Sequence, residues 1–419
     1  MNCRHCNNKL NYKFLDLGFS PPSNAYLIDE DLSKPERYLP LRLRICSECW
    51  LVQTEDYEGP EAIFDKDYAY FSSTSHSWLK HAEAYSAMII PELNLTEKSL
   101  VMEVASNDGY LLKHFISKGI PNFGVEPTES TAKHAIEIGV CVDQDFFGVN
   151  YANKLVSGEA PITESYKGEK GRLCDLIIGN NVYAHVPDIN DFTHGLKIAL
   201  NQSGTINLEF PHLLNLIQLN QFDTVYHEHF SYLSLYTVVA IFAKYDLKIY
   251  RVEEITTHGG SLRVYGCHND DTRQIEDSVN DVLRAEAVAG LKKISTFREF
   301  QSKAEMIKND LLNFLITAKA SGNTVAAYGA AAKGNTLLNF SGVKPDLISS
   351  VFDAAPAKQG KFMPGSHIPI LNPNMIKEIR PDYLLILPWN LRSEITSSCS
   401  YISEWGGKFV IAVPELQIL

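Results

Sequence analysis

The segment Leu100–Leu112, LVMEVASNDGYLL, constrains this 419-residue chain more than any other stretch. Leu100–Val104 is an apolar run of strand type, and Ala105–Gly109 is a turn of small and polar residues. From Tyr110 apolar residues recur at helical spacing as far as Gly119. Strand, tight turn and helix open a nucleotide-binding α/β unit. A second apolar run, Asn122–Val125, ends in Glu126, 23 residues beyond Glu103. An acid at the tip of the second strand is placed to accept hydrogen bonds from two ribose hydroxyls.

The turn discriminates among nucleoside ligands. A dinucleotide fingerprint, G-x-G-x-x-G, needs glycines so that a pyrophosphate can approach the helix N-terminus. Here Glu103 ends the strand, Ala105, Ser106 and Asn107 follow, and one glycine remains, Gly109. That suits a ligand with no phosphate and a positive centre, such as S-adenosylmethionine. The turn resembles the first motif of class I methyltransferases, E/D-x-G-x-G or E-x-G-S-N-D-G. Ala105 replaces the first glycine, and the backbone is expected to turn with Ala105 at φ below zero. An ordinary strand-to-helix turn is the plain alternative.

The α/β alternation continues past Glu126. Thr131–Ile138 reads as helix and Gly139–Val142 as a third strand. Asp145, Phe146 and Phe147 follow, where an acid and a ring would meet an adenine amine and face. Cys174–Gly179 is a fourth strand leading into Asn180 and Asn181, and Thr205–Glu209 a further one. Ligands bind outside the carboxyl ends of such strands, which points both asparagines and Tyr183-Ala184-His185 into the site. Ahead of the unit, His76–Ile90 reads as helix. Tyr68, Tyr70, Ser72 and Ser73 precede it and suit either a substrate-facing loop or a linker with packed tyrosines.

Four of the eight cysteines form two C-x-x-C pairs, Cys3/Cys6 and Cys46/Cys49, with 39 residues between them. Two such knuckles supply four thiolates to one tetrahedral Zn(II) with no open position, so the metal is structural. A redox C-x-x-C is the alternative, and His5 could substitute as a ligand. The intervening proline- and turn-rich segment with short β runs reads as a zinc-ribbon-like module.

Tyr226-His227-Glu228-His229-Phe230-Ser231-Tyr232 is the densest chemical cluster. In an extended segment His227 and His229 face opposite sides, which disfavours a shared metal. General acid–base work fits better: a histidine titrates near neutrality, a carboxylate can orient it, and a tyrosine can donate to an oxyanion. Satisfied histidines without a chemical role are the alternative. In TTHGGSLRVY, from Thr256, Arg263 suits a phosphate or sugar contact, or a plain hairpin. Gln274–Ala318 has helical periodicity.

The last hundred residues repeat the α/β plan. Val325–Leu338 is strand, small-residue turn and helix. Leu347–Phe352, Tyr383–Pro388 and Phe409–Val413 are further strands. Gly329, Lys333 and Gly334 at a helix N-terminus suit an anion such as a diphosphate. Two nucleotide-type sites are therefore expected.

No run of 18 apolar residues occurs, so no membrane span is expected. The first residues carry no hydrophobic signal region, which implies a cytoplasmic protein. The net charge is −12 with no basic tract, which argues against a nucleic-acid partner.

End to end the chain resembles the sugar C-methyltransferases that act on nucleotide-linked keto-deoxysugars. The motifs are the two C-x-x-C knuckles, Y-x-Y-x-S-S, E-x-x-S-N-D-G, G-V-E-P, N-N-V-Y-A-H, Y-H-E-H-F-S-Y, H-G-G-S-L-R, Y-G-A-x-A-K-G-N, K-Q-G-K-x-x-P-G and P-W-N. The resemblance implies an α/β fold in three parts: a zinc-binding module, a class I methyltransferase Rossmann-like core and a C-terminal Rossmann-like domain. Boundaries are expected at 1–66, 67–270 and 321–419, with a helical connection over 271–320. It implies S-adenosylmethionine as cofactor and a dTDP-type keto-sugar diphosphate as substrate. His229 is the implied base, with Tyr226, Glu228 and His185 around the sugar and Tyr68 or Tyr70 facing it. Tyr328, Asn335, Trp389 and Asn390 join Lys333 and Gly334 as implied substrate contacts. Nothing in the sequence requires more than a monomer. An NAD-dependent nucleotide-sugar oxidoreductase or epimerase, or a non-catalytic scaffold, are the competing readings. The first turn lacks the glycines that NAD would need, and the full Tyr226–His229 cluster speaks against a scaffold.

Overall fold

The computed structural model describes residues 1–57, 71–162 and 171–419. Tyr68 and Tyr70 lie outside them. Three sheets organise the described residues.

The central sheet has seven strands: β4 (Val101–Val104), β5 (Asn122–Val125), β6 (Val142–Asp143), β7 (Cys174–Asn180), β8 (Leu200–Pro211), β10 (Leu247–Ile255) and β11 (Ser261–His268). Their order is β10-β11-β8-β7-β4-β5-β6. The pairs β4–β5, β5–β6, β4–β7 and β7–β8 are parallel, and β11 runs antiparallel to both neighbours. The chain leaves β4 toward β5 on one side and returns to β7 on the other. That order reversal opens a crevice at the carboxyl ends of β4 and β7. β4 and β5 are buried at every position, as strands covered on both faces must be.

The C-terminal sheet, β12 (Val325–Tyr328), β13 (Val351–Phe352), β14 (Ile370–Leu371), β15 (Tyr383–Ile386), β16 (Lys408–Ile411) and β17 (Gln417–Ile418), has the order β14-β13-β12-β15-β16-β17. It has its own switch point at β12. β14 and β17, two residues each, are too short to show periodicity, and the strand expected from Leu347 starts only at Val351.

The N-terminal sheet departs from a self-contained module. β1 (Tyr12–Ser20), β2 (Leu39–Ile45) and β3 (Val52–Thr54) pair in sequence. The fourth strand, β9 (Ser231–Tyr232), comes from the histidine-rich segment. Val52 stands opposite Tyr232 and Gln53 opposite Ser231. The long helix Phe300–Ala320 leans on this sheet, with Phe14 against Phe297 and Phe300 at 5.2 and 5.0 Å. Its apolar side shares one core with β1, β2 and the C-terminal strands. No helix among the described residues is long and apolar enough to cross a membrane.

Candidate functional site

The four cysteines converge. Their sulfurs lie within 4.8 Å of one another, with Cys3–Cys49 and Cys6–Cys46 at 3.4 Å. Zn–S bonds of about 2.3 Å would set tetrahedral sulfurs roughly 3.8 Å apart, so the donor set fits a closed zinc site. His5 is not a fifth candidate: its Nδ1 faces Asn190 Oδ1 at 2.9 Å. Asn190 Nδ2 also donates to the carbonyls of Arg4 and His5, and Thr237 Oγ1 to that of Cys49. Both knuckles are thus bonded to helices that flank the central sheet.

At the first turn Ala105 has φ +54, not the negative value expected, and Asn107 has φ +49. The left-handed region costs a residue with a Cβ roughly 1–2 kcal/mol. Hydrogen bonds hold the turn there: Ala105 N donates to Val125 O, and Glu126 accepts from Asn107 N and Thr128 N at 2.9 Å each. Asn107 Oδ1 and Asp108 Oδ2 accept from the backbone of Ser72 and Ser73. Ser106 does not face a ligand; a Cβ on Gly124 would fall 2.1 Å from its Oγ, so it packs on β5. Gly109 has φ +78, and a Cβ there would lie 2.8 Å from Val140.

Three carboxyls are buried around this turn, Glu103, Asp108 and Glu126, with no cation paired to them among the described residues. Burial pushes Glu103 well above its ordinary range, against the Tyr110 hydroxyl and helped by Asp108 and Glu126. Burial also raises Glu126 against its two backbone donors. Asp108 Oδ1, Asn180 Oδ1 and Asn181 Oδ1 are buried without partners among the described residues. A cradle of buried carboxyls and partnerless amide oxygens of this kind fits a cationic nucleoside. Asp145 is spent locally on Phe146 N and on Lys154 at 3.4 Å. Phe146 is exposed, whereas Phe147 packs on Tyr151 and Phe192.

The histidine cluster lies where all three sheets meet. His229 Nδ1 donates to the carbonyl of Thr224 at 3.1 Å, which leaves Nε2 as the basic nitrogen. Tyr226 lies against its ring at 4.0 Å and His185 at 4.5 Å, edge to face. Burial, with His185 next, holds His229 well below its ordinary value. Burial brings His185 down to about 4. Both rings are therefore neutral at physiological pH.

Glu228 is held from the N-terminal module. Both its oxygens accept from Asn24 Nδ2, at 2.8 and 2.9 Å, a residue of the N-terminal module. Arg263, expected to meet phosphate or sugar, lies buried in the sheet. Its guanidinium pairs with Glu209 at 3.3 Å and Glu253 at 3.1 Å and covers the Tyr85 ring.

The C-terminal contacts divide. Lys333 Nζ donates to Asn390 Oδ1 at 2.8 Å over the Trp389 ring, and burial lowers its pKa. Trp389 Nε1 donates to buried Asp223 at 2.8 Å. These three residues border the histidine cluster: the Lys333 charge weighs on His229. Gly334 and Asn335 act otherwise. A Cβ on Gly334 would meet Leu387 at 2.9 Å, and Asn335 Nδ2 donates to Ser23 O at 2.6 Å. They serve packing rather than an anion cradle. Tyr328 ends β12, its pKa raised to about 12 by burial.

Sequence reasoning missed Asn24, Asp223 and His258. His258 stands in the H-G-G-S-L-R motif, where attention fell on Arg263, and Asn24 and Asp223 stand outside any motif; only the chain path brings each to the cluster.

Residues 256–414 match the family model described as "C-methyltransferase C-terminal domain", and residues 3–64 the one described as "Putative zinc binding domain". C-methyltransferase NovU of Streptomyces niveus is 31% identical over 417 residues, covering 100% of this chain and 96% of that protein. Among solved structures, magnesium protoporphyrin IX methyltransferase of Synechocystis PCC 6803 aligns with TM-score 0.33 and 13% identity, over 45% of this chain and 79% of that one. An S-adenosylmethionine-dependent methyltransferase of Clostridium acetobutylicum ATCC 824 aligns with TM-score 0.34 and 10% identity, over 45% and 92%.

Proposed function

Because this chain belongs to the C-methyltransferase family, we propose that it methylates a carbon beside the ketone of a nucleotide-linked, dTDP-type 4-keto-deoxysugar, with S-adenosylmethionine as donor. The observation that carries this reading is His229: a buried neutral imidazole with Nδ1 pinned to a carbonyl, leaving Nε2 as its basic nitrogen.

S-adenosylmethionine, when bound, supplies an electrophilic methyl group on a sulfonium. Glu103, Asp108 and Glu126 would hold it as buried hydrogen-bond acceptors, with Asn180 and Asn181 beside it. A sugar carbon becomes nucleophilic only as an enolate, and the 4-keto group acidifies its neighbours. His229 Nε2 takes that proton. Tyr226 donates to the enolate oxygen, and one such donor is worth about 2.7–4 kcal/mol in a transition state; the neutral His185 ring packs beside His229 at the sugar. Lys333, with Asn390 and Trp389, faces the diphosphate side of the substrate. Cys3, Cys6, Cys46 and Cys49 hold zinc outside the chemistry.

Titration calorimetry with S-adenosylmethionine and with NAD tests the cofactor. Binding of the first alone is expected; binding of NAD alone would replace this reading with a redox one. With a dTDP-linked keto-sugar, His229→Ala should lose at least about 100-fold in turnover while cofactor affinity holds. Undiminished turnover would remove His229 from the role of base.

A further inference from the structure

The hairpin turn between β10 and β11 presents a side chain that this chemistry leaves without a task. His258 has φ +54 and ψ +19, a left-handed conformation unusual for a residue with a Cβ. Asn181, at the carboxyl end of β7, has φ +53. The two residues are joined: Asn181 Nδ2 donates to His258 Nε2 at 2.9 Å. A neutral imidazole has one acceptor nitrogen and one N–H, so accepting at Nε2 places the proton on Nδ1. Nδ1 has no hydrogen-bond partner among the described residues.

The turn is held from several sides. Thr257 Oγ1 donates to Glu209 at 2.7 Å, and Gln221 Nε2 to the Gly259 carbonyl at 2.7 Å. A Cβ on Gly259 would lie 2.3 Å from the Trp389 ring, and one on Gly260 would lie 2.3 Å from Asn215. Trp78 meets the His258 ring edge-on at 5.3 Å. Strained residues persist only where the surroundings over-determine them, and they gather at working sites. Burial, with the Lys333 charge, brings His258 down to about 4, so the ring is neutral. It stands close enough to His185 and His229 for its charge to weigh on both.

Resting on the C-methylation reading above, we propose that His258 is a catalytic hydrogen-bond donor whose Nδ1–H, fixed by Asn181, meets the ketone oxygen of the substrate as the enolate forms. The step balances within the site. The proton beside the ketone moves to His229 Nε2, and the C–H electron pair becomes the C=C bond. The former carbonyl pair stays on oxygen as a negative charge, which His258 stabilises without giving up its proton. A donor fixed before reaction needs no reorganisation at the moment the charge develops.

Enolisation can be read without the methyl donor, as deuterium uptake from D2O beside the ketone of dTDP-4-keto-6-deoxyglucose, followed by NMR. The wild type should exchange; failure there would overturn the C-methylation reading itself, and this proposal with it. His258→Gly, which relieves the left-handed backbone and so keeps the turn, should exchange about 10²–10³-fold more slowly. His258→Asn tolerates the same backbone and carries an N–H near the Nδ1 position. It should recover at least about tenfold of that loss. Exchange in His258→Gly at the wild-type rate, or no recovery in His258→Asn, would overturn the role while leaving the C-methylation reading intact.

Discussion

In His229, His185 and His258 burial keeps each ring neutral below the pH at which a free imidazole takes up a proton. The consequence has a definite sign. Their folded values lie below the unfolded value of about 6.5, to about 4 for His185 and His258. As pH falls through that window the unfolded chain binds protons that the folded chain refuses. Stability is therefore full above about 6.5 and declines toward 4. Denaturant titrations at stepped pH should show the decline, and a flat profile would mean the rings are exposed. Catalysis should follow the same direction. The acid limb of kcat/KM should fall below 6.5, because His229 remains a free base beneath its ordinary value. A limb at or above 6.5 would contradict the burial of His229. Ala105 belongs to this scale too. Its methyl group stands where glycine would be unstrained, and the bonds that the turn donates to the Val125 carbonyl and the Glu126 carboxylate hold it regardless.

Among elements, the helix Ala332–Ser341 shows how a motif can be read in the right place and with the wrong cause. Its small residues match those of an anion-binding turn, yet Gly334 faces Leu387 and Asn335 reaches the N-terminal module. Gly334→Ala should cost about 1–3 kcal/mol of stability through overpacking, with nucleotide affinity unchanged in the folded fraction. Preserved stability with lost affinity would restore the anion reading. The legible parts of the chain were those governed by local pattern. β4, β5 and β7 are continuous apolar runs, and the cysteine knuckles carry their own spacing. The contacts of Glu228 and Arg263 were not legible because their partners, Asn24 and Glu209, lie 204 and 54 residues away. No local periodicity encodes a pairing across that distance. β9 was invisible for the same reason: two residues become a strand only because β3 is there to pair with them.

For the whole molecule, the cysteine site and the histidine cluster are mechanically one. Cys49 precedes β3 by three residues, and β3 pairs with β9, which begins two residues after His229. Thr54 N donates to Phe230 O and Thr237 Oγ1 to Cys49 O, on either side of that pairing. A four-thiolate zinc site carries roughly 10–16 kcal/mol of binding free energy. Stripping the metal with a chelator should raise amide exchange over residues 224–233 and depress methyl transfer. S-adenosylmethionine affinity, set by the turn at Glu103–Gly109, should change far less. Unchanged exchange over 224–233 would separate the module from the site.

The shared sheet also has a consequence in time. A ribosome releases β3 long before Ser231 and Tyr232 exist, and the whole segment from 55 to 230 must follow before the fourth strand arrives. Until then β3 is an unpaired edge, open to any other nascent strand. The strand that finally covers it begins two residues beyond His229, so closing the N-terminal sheet during synthesis seats the segment that carries this histidine while His258 and Lys333 are still to be made.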